Sequence, residues 1–218
     1  MSRWATFDCY GTLIDWNGGI GRELDRLFGA DRVAALLYAY HEVEPLVQRE
    51  RPTRTYRDVL TVSLAKLAER ERLPLPAGEH DALARSLPGW QPFPEVRAAL
   101  EDASARGWKL AILSNTDRDY IDASIASIGV PFELSIVASE IGSYKPGKRH
   151  WQAFGEQVAD AGVHVHVGAS LFHDVAPAIE LGLPTVWINR LGEEAEPRPD
   201  VELPSLTGLG DALDELAA

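Results

Sequence analysis

The chain has 218 residues, 45% hydrophobic and 25% charged, the make-up of a soluble globular protein and not of a disordered or fibrous one. Its 33 acidic and 21 basic side chains give a formal net charge of −12, which argues against nucleic acid, whose phosphates call for clustered Lys and Arg. No stretch approaches the roughly 18 uncharged apolar residues that cross a bilayer, and the lone Cys9 rules out an internal disulfide and suits a reducing compartment, so the expectation is a cytoplasmic protein with no membrane partner.

The first apolar run, Trp4-Ala5-Thr6-Phe7, reads as a buried strand that ends at Asp8 and enters a tight turn at Gly11-Thr12; the acid arrives before any secretory apolar segment can form. Helical periodicity follows, with Ile20, Leu24, Leu27 and Phe28 at three- and four-residue steps. The pattern predicts further helices over Ala34–Val47, Tyr56–Arg72 and Ala77–Leu87, and no strand between 15 and 90. After the proline-rich break at 88–92, strands and helices alternate. Helices are expected at Pro94–Arg106, Arg118–Ile128, His150–Ala161 and Val175–Leu181, and strands at Lys109–Ser114, Leu134–Ala138, His164–Val167 and Pro184–Ile188. Residues 193–204 read as a Pro- and Glu-rich loop and 208–217 as a last helix. This is an α/β pattern: an open parallel sheet with helices on both faces, and an all-helical block inserted after the first strand.

Ligands of such sheets bind beyond the carboxyl ends of the strands. Those ends carry Asp8 with Gly11 and Thr12, then Ser114-Asn115, Ser143-Tyr144-Lys145-Pro146, and Gly168 to Asp174. A carboxylate is a weak nucleophile in water, but desolvation and an orienting lysine can make it attack carbon or phosphorus. A second carboxylate can then position the water that cleaves the covalent intermediate.

In order and spacing these residues resemble the haloacid dehalogenase (HAD) superfamily. Phe7-Asp8-Cys9-Tyr10-Gly11-Thr12-Leu13 is similar to its first motif, Ile112-Leu113-Ser114-Asn115 to its second and Ser143-Tyr144-Lys145-Pro146 to its third. Gly168-Ala169-Ser170-Leu171-Phe172-His173-Asp174 resembles a variant of its fourth. The resemblance spans essentially the whole chain. It implies a HAD-like Rossmannoid core over 1–14 and 91–218 and a helical cap over 15–90.

Phosphatase members of the superfamily carry a second aspartate two residues after the nucleophile, as acid for the leaving alcohol. Tyr10 stands there instead, and Asp8-Cys9-Tyr10-Gly11-Thr12 is similar to the L-2-haloacid dehalogenases, also called type II 2-haloalkanoic acid dehalogenases. A halide leaves without a proton. The resemblance therefore implies that Asp8 attacks C2 of a small anionic 2-haloacid, expelling halide, and that water cleaves the resulting ester to give the 2-hydroxy acid with C2 inverted. Lys145 would orient Asp8, Asp174 would hold Lys145 and the water, and Thr12 would brace the nucleophile loop. Ser114 and Asn115 would bind the substrate carboxylate, with Tyr10, His41, Trp151 and His173 around the substrate. No cofactor or metal is implied, and a homodimer is possible because family members often form one.

The chain also departs from these dehalogenases. Ala169, Ser170 and Leu171 stand where they have Ser-Ser-Asn, Trp151 replaces a tyrosine, and their halide-cradling cap arginine falls, by loose alignment, near His41. His173 could offer a replacement polar group. Two alternatives stay open: a Mg²⁺-dependent phosphatase with Asp8, the Tyr10 carbonyl and Asp174 as ligands, and a non-catalytic binding protein on the same scaffold.

Other residues have plainer readings beside functional ones. His164 and His166 share a strand face and, with His173 and Asp174, invite a metal; packing with one hydrogen bond each is the favoured reading. Cys9 reads as packing volume. Arg49, Arg51, Arg54 and Arg57 form a solvated basic run, or send one or two guanidinium groups over the cleft to a halide or carboxylate. Residues 15–90 hold 12 acids and 11 bases, whereas 193–218 hold 8 acids and 1 base, so most of the negative charge is expected away from the strand ends.

Overall fold

Alternation along the first strand, Arg3–Phe7 (β1), sends Ala5 and Phe7 to one face of a sheet and Trp4 and Thr6 to the other, and all four are buried. The computed structural model describes residues 2–159 and 161–218. Five more strands join β1: Trp108–Ser114 (β2), Leu134–Val137 (β3), Val163–Gly168 (β4), Thr185–Ile188 (β5) and Val201–Leu203 (β6). Every pairing is parallel, in the order β3-β2-β1-β4-β5-β6, with Phe7 level with Ile112 on one side and Val167 on the other. Chain progression reverses between β1 and β4. The crevice at their carboxyl ends is thus the natural ligand site.

Each face of the sheet is covered. Ala5, Phe7, Leu110, Ile112, Val165 and Val167 pack in one cluster with Leu100 and Ala103 of helix Val96–Ala105, Ile121 of Arg118–Ile128, and Leu213 of Leu209–Leu216. Trp4, Ala111, Leu113 and Ile136 pack on the opposite face with Trp151 and Phe154 of helix Arg149–Gln157. Full burial of such a side chain contributes about 1.5–3 kcal/mol. The polar members of the second face, Thr6 and His166, must find partners inside it.

Between β1 and helix Val96–Ala105 lie helices Trp16–Phe28, Val33–Glu50, Tyr56–Arg70 and Ala82–Ser86, and no strand. Asp15 caps the first by accepting from Gly18 N at 2.9 Å, and Thr55 caps the third by accepting from Asp58 N at 3.2 Å. The third helix is also held from the sheet side. Asp117, just after β2, accepts Tyr56 N and Arg57 N at 2.9 Å each, placing a carboxylate against the helix N-terminus. This contact fixes the helical layer over the strand ends.

Several boundaries differ from the sequence pattern. The helix expected over Ala77–Leu87 forms only at Ala82–Ser86, because Gly78 takes a left-handed φ of 82° after Pro76. The helix expected to reach Ala161 ends at Gln157, and its Asp160 lies outside the described residues. The segment before Ala176–Glu180 is a π-helical turn over Leu171–Val175, which Ser170 starts by accepting from His173 N at 3.1 Å. A short helix at Ala138–Ile141 and strand β6, within the stretch read as loop, are additional. Among the described residues, no helix is long and apolar enough to cross a membrane.

Candidate active site

Asp8 emerges directly from β1, its N–H donating to Val167 O at 2.9 Å. The chain then turns sharply: Leu13 N and Ile14 N both donate to Cys9 O, and Gly11 sits at φ 93°, where a side chain would be strained. The turn brings Thr12 back under the carboxylate. Thr12 Oγ1 donates to Asp8 Oδ2 at 2.8 Å and accepts from Ala169 N at 2.9 Å, so one hydroxyl joins the β1 and β4 loops.

The other Asp8 oxygen faces Lys145. Its Nζ donates to Asp8 Oδ1 at 2.9 Å, Asp174 Oδ1 at 2.7 Å and Leu113 O at 2.7 Å, using all three protons. The Lys145 side chain is 1% exposed, as is that of Asp174. Asn115 fixes this lysine through its backbone: its Nδ2 donates to Lys145 O at 3.0 Å, and Lys145 N donates to its Oδ1 at 2.6 Å. Asp174 Oδ2 accepts from Ser170 N at 3.2 Å. Ser114 Oγ, at the end of β2, is buried without a hydrogen-bond partner.

Two carboxylates sharing one ammonium titrate differently. Burial would raise Asp174, but Lys145, with His166 behind it, holds it well below the usual carboxylate range. Burial raises Asp8 against the pull of Lys145, and the charge on Asp174 adds to the rise. Burial acts to lower Lys145, yet Asp174 and Asp8 more than offset it, so the ammonium stays charged. Burial pushes the Cys9 thiol up, consistent with packing and not reactivity.

A cavity of about 530 Å³ opens over this group. Asp8, Tyr10, Ser114, Asn115, Lys145, Asp174, His41 and His173 all line it, with Thr12 behind Asp8. Tyr10 turns its hydroxyl to Ser124 Oγ at 3.0 Å and stacks on Tyr56 with centroids 6.0 Å apart. His41 packs edge-on to Trp16 and bonds Asn17 Oδ1 through Nε2 at 2.9 Å; burial lowers its pKa, so it meets the cavity as a neutral ring. His173 bonds Ser170 Oγ at 3.1 Å and not either carboxylate.

Two expectations fail on placement. Trp151 does not line the cavity; its helix turns it to the second face of the sheet, against His166 with centroids 5.0 Å apart. None of Arg49, Arg51, Arg54 and Arg57 lines it either, and Arg57 pairs with Asp119 at 2.6 Å over the Tyr120 ring. The cavity guanidinium is instead Arg190, just beyond β5. It donates to Thr12 O at 2.8 Å, pairs with Glu95 at 2.7 Å and lies 3.5 Å over the Phe93 ring. The end of β5 was a signal in the sequence that points to it. Glu44 is another lining residue that the sequence gives no reason to single out. It is buried, takes a hydrogen bond from Gln48 at 2.9 Å, and burial pushes its carboxyl up to about 7.

His164 and His166 turn to Thr6 Oγ1, each at 2.9 Å, and burial lowers both. Among the described residues, no group of three or more His, Cys, Asp and Glu side chains converges as a metal site.

The haloacid dehalogenase-like hydrolase family profile matches residues 3–182. An (S)-2-haloacid dehalogenase of Pseudomonas sp. (strain YL) is 29% identical over 219 residues, covering 97% of this chain and 94% of that protein. Haloacetate dehalogenase H-2 of Moraxella sp. (strain B) is 26% identical over 210 residues, covering 93% and 94%. A crystal structure of an L-2-haloacid dehalogenase superposes with a TM-score of 0.86 at 24% identity, over 100% of this chain and 99% of that one.

Proposed function

The chain belongs to the haloacid dehalogenase-like hydrolases, and from that premise we propose that it hydrolyses short 2-haloacids to 2-hydroxy acids through an ester on Asp8. The observation that carries this reading is the state of Asp8 and Tyr10. Asp8 is gripped at both oxygens, by Lys145 and Thr12, on the floor of the cavity. Two residues on, where an acid for an alkoxide would stand, the Tyr10 hydroxyl is engaged with Ser124. Such a site suits a leaving group that departs without a proton.

In this reading, Lys145 and Thr12 orient an Asp8 oxygen toward C2, and desolvation strengthens it as a nucleophile. The C2–halogen bond breaks as the Asp8 oxygen–C2 bond forms, inverting C2. The Ser114 hydroxyl and the backbone at Asn115 receive the substrate carboxylate, and the Asn115 side chain serves by holding Lys145. Water guided by Asp174 then attacks the Asp8 carbonyl carbon, the bond from that carbon to the C2 oxygen breaks, and the hydroxy acid leaves. Residues 15–90 act as the cap and 1–14 with 91–218 as the catalytic core of a cytoplasmic enzyme. Exposed Tyr38 and Leu46 on helix Val33–Glu50 offer an apolar surface for a homodimer.

The donor set does not fit the phosphatase alternative. Mg²⁺ seeks near-octahedral oxygen ligation, whereas Asp8 Oδ1 and Asp174 Oδ1 both point at the Lys145 ammonium and Asp8 Oδ2 at Thr12. A panel of L-2-chloropropionate, chloroacetate and small phosphate esters, run with and without EDTA, tests the choice. Halide release indifferent to EDTA and absent in Asp8→Asn is expected. EDTA-sensitive phosphate release without halide would overturn the reading.

A further inference from the structure

Beyond Lys145 and the backbone of Ser170, the altered fourth motif offers Asp174 no side-chain donor, since Ala169 and Leu171 carry no polar side chain and His173 bonds Ser170. A different imidazole faces it from beneath. His166, on β4, is 1% exposed, and its Nε2 lies 3.6 Å from Asp174 Oδ1 with no hydrogen-bond partner of its own. Its other nitrogen, Nδ1, is 2.9 Å from Thr6 Oγ1, which is also 2.9 Å from His164 Nε2.

These contacts allow a tautomer that serves Asp174. If His164 donates from Nε2 to Thr6, the Thr6 hydroxyl has His166 Nδ1 at 2.9 Å as a nearer acceptor than Val165 O at 3.4 Å, and the His166 proton is left on Nε2. That N–H then points at the Asp174 carboxylate, and a movement of about 0.7 Å would make a charge-assisted bond near 2.9 Å. The edge of Trp151 packs on the ring from the side and limits its rotation.

We propose that His166, its tautomer set by Thr6, is the positioning residue for Asp174 and governs ester hydrolysis while leaving halide expulsion to Asp8 and Lys145. The assignment rests on the roles given above to Asp8 and Asp174. With Oδ1 shared by Lys145 and His166, Oδ2 has a single 3.2 Å backbone bond from Ser170 and is the oxygen left to take a hydrogen of the attacking water. During that attack one water proton passes to Asp174. The C2 oxygen takes the other as the bond to the Asp8 carbon breaks, which restores the Asp8 carboxylate. The Asp174 proton then leaves to solvent, so each turnover yields halide, hydroxy acid and one proton. Loss of the His166 contact lets the Asp174 carboxyl swing, and a misplacement of about 1 Å lowers the affected step by on the order of 100-fold.

Rapid-quench single turnovers with L-2-chloropropionate separate the two halves. In His166→Phe, which keeps an aromatic ring against Trp151, the rate of halide release is expected to hold within about twofold. Hydroxy acid formation should fall by on the order of 100-fold, and with substrate in excess the ester on Asp8 should accumulate toward one per chain by mass spectrometry. Thr6→Val, nearly isosteric, should show the same split more weakly, and His166→Gln, which restores an N–H, should recover part of the second step. Unchanged hydroxy acid formation in folded His166→Phe and Thr6→Val, or an equal fall in both steps, overturns the role of His166 while the dehalogenase reading stands. Absence of halide from the unmodified protein overturns that reading and this inference with it.

Discussion

Replacing Lys145 by Met tests the electrostatic frame of the site with an unbranched apolar side chain one atom shorter. The substitution removes hydrogen bonds of 2.9 and 2.7 Å to two carboxylates and one of 2.7 Å to Leu113 O; the bonds to Asp174 and Leu113 are buried and that to Asp8 is half-buried. Deleting one partner of a buried ion pair costs about 3–5 kcal/mol, because the charge left behind is uncompensated. Here two carboxylates are left. Against a total of roughly 5–15 kcal/mol for a typical domain, that loss is easily read by urea unfolding followed through tryptophan fluorescence. Its pH dependence is the sharper signature. Asp174 is depressed in the folded protein, so its contribution is complete above its ordinary pKa of 3.8 and is lost only as pH falls below that. Without the ammonium, burial is opposed chiefly by His166 at Asp174 and by Thr12 at Asp8, and both carboxyls rise. A raised carboxyl favours the folded state at low pH and loses that contribution as pH increases, so the deficit of Lys145→Met should be about 3–5 kcal/mol at pH 8 and smaller at pH 5. A variant within about 1 kcal/mol of the parent at pH 8, or a deficit independent of pH, would refute a buried, charged triad.

Thr12→Val keeps the shape of the nucleophile turn but removes the donor to Asp8 and the acceptor for Ala169 N; a stability loss of about 1–3 kcal/mol should accompany slower halide release at saturating substrate. Glu44→Gln removes a carboxyl that burial lifts from 4.5 to about 7, a displacement worth roughly 3 kcal/mol to the charged form. The Glu44 contribution is present at low pH and lost as pH rises through about 7, so Glu44→Gln should be the more stable protein at pH 8 and gain little at pH 5; equal urea midpoints at pH 8 would count against it. Arg190→Met should lower the rate of halide release with little change in KM, since the guanidinium holds Thr12 O and Glu95; a raised KM at unchanged kcat would instead make Arg190 a substrate ligand.

Much of this was legible in the sequence because strands buried on both faces read as apolar runs, and the runs of β1, β2 and β4 lead directly into residues of the site. Asp8, Ser114, Lys145 and Asp174 share the cavity, as a parallel sheet reversing direction between β1 and β4 requires. What escaped notice has physical reasons. Strand β6 is three residues, Val201–Leu203, inside a stretch rich in Pro and Glu, too short for alternation to stand out. Glu44 sits on a helix where an acid ordinarily faces water, and only tertiary packing against the cavity buries it. Trp151 lies away from the cavity and Arg190 lines it because a helix residue's direction depends on which face of the sheet its helix covers, while a residue just after a strand is placed by the strand itself. The net charge proved a poor guide to the substrate: despite the value of −12, the buried lysine and Arg190 stand at the cavity.

The central claim is that an Asp8 oxygen, and not water, makes the new bond to C2. A single turnover of L-2-chloropropionate with excess protein in ¹⁸O-water measures this directly. The account predicts lactate whose hydroxyl carries unlabelled oxygen, with the label found in the Asp8 carboxylate by peptide mass spectrometry. Lactate that carries the label from the first turnover, with Asp8 unlabelled, would mean direct attack of water on C2 and would contradict it.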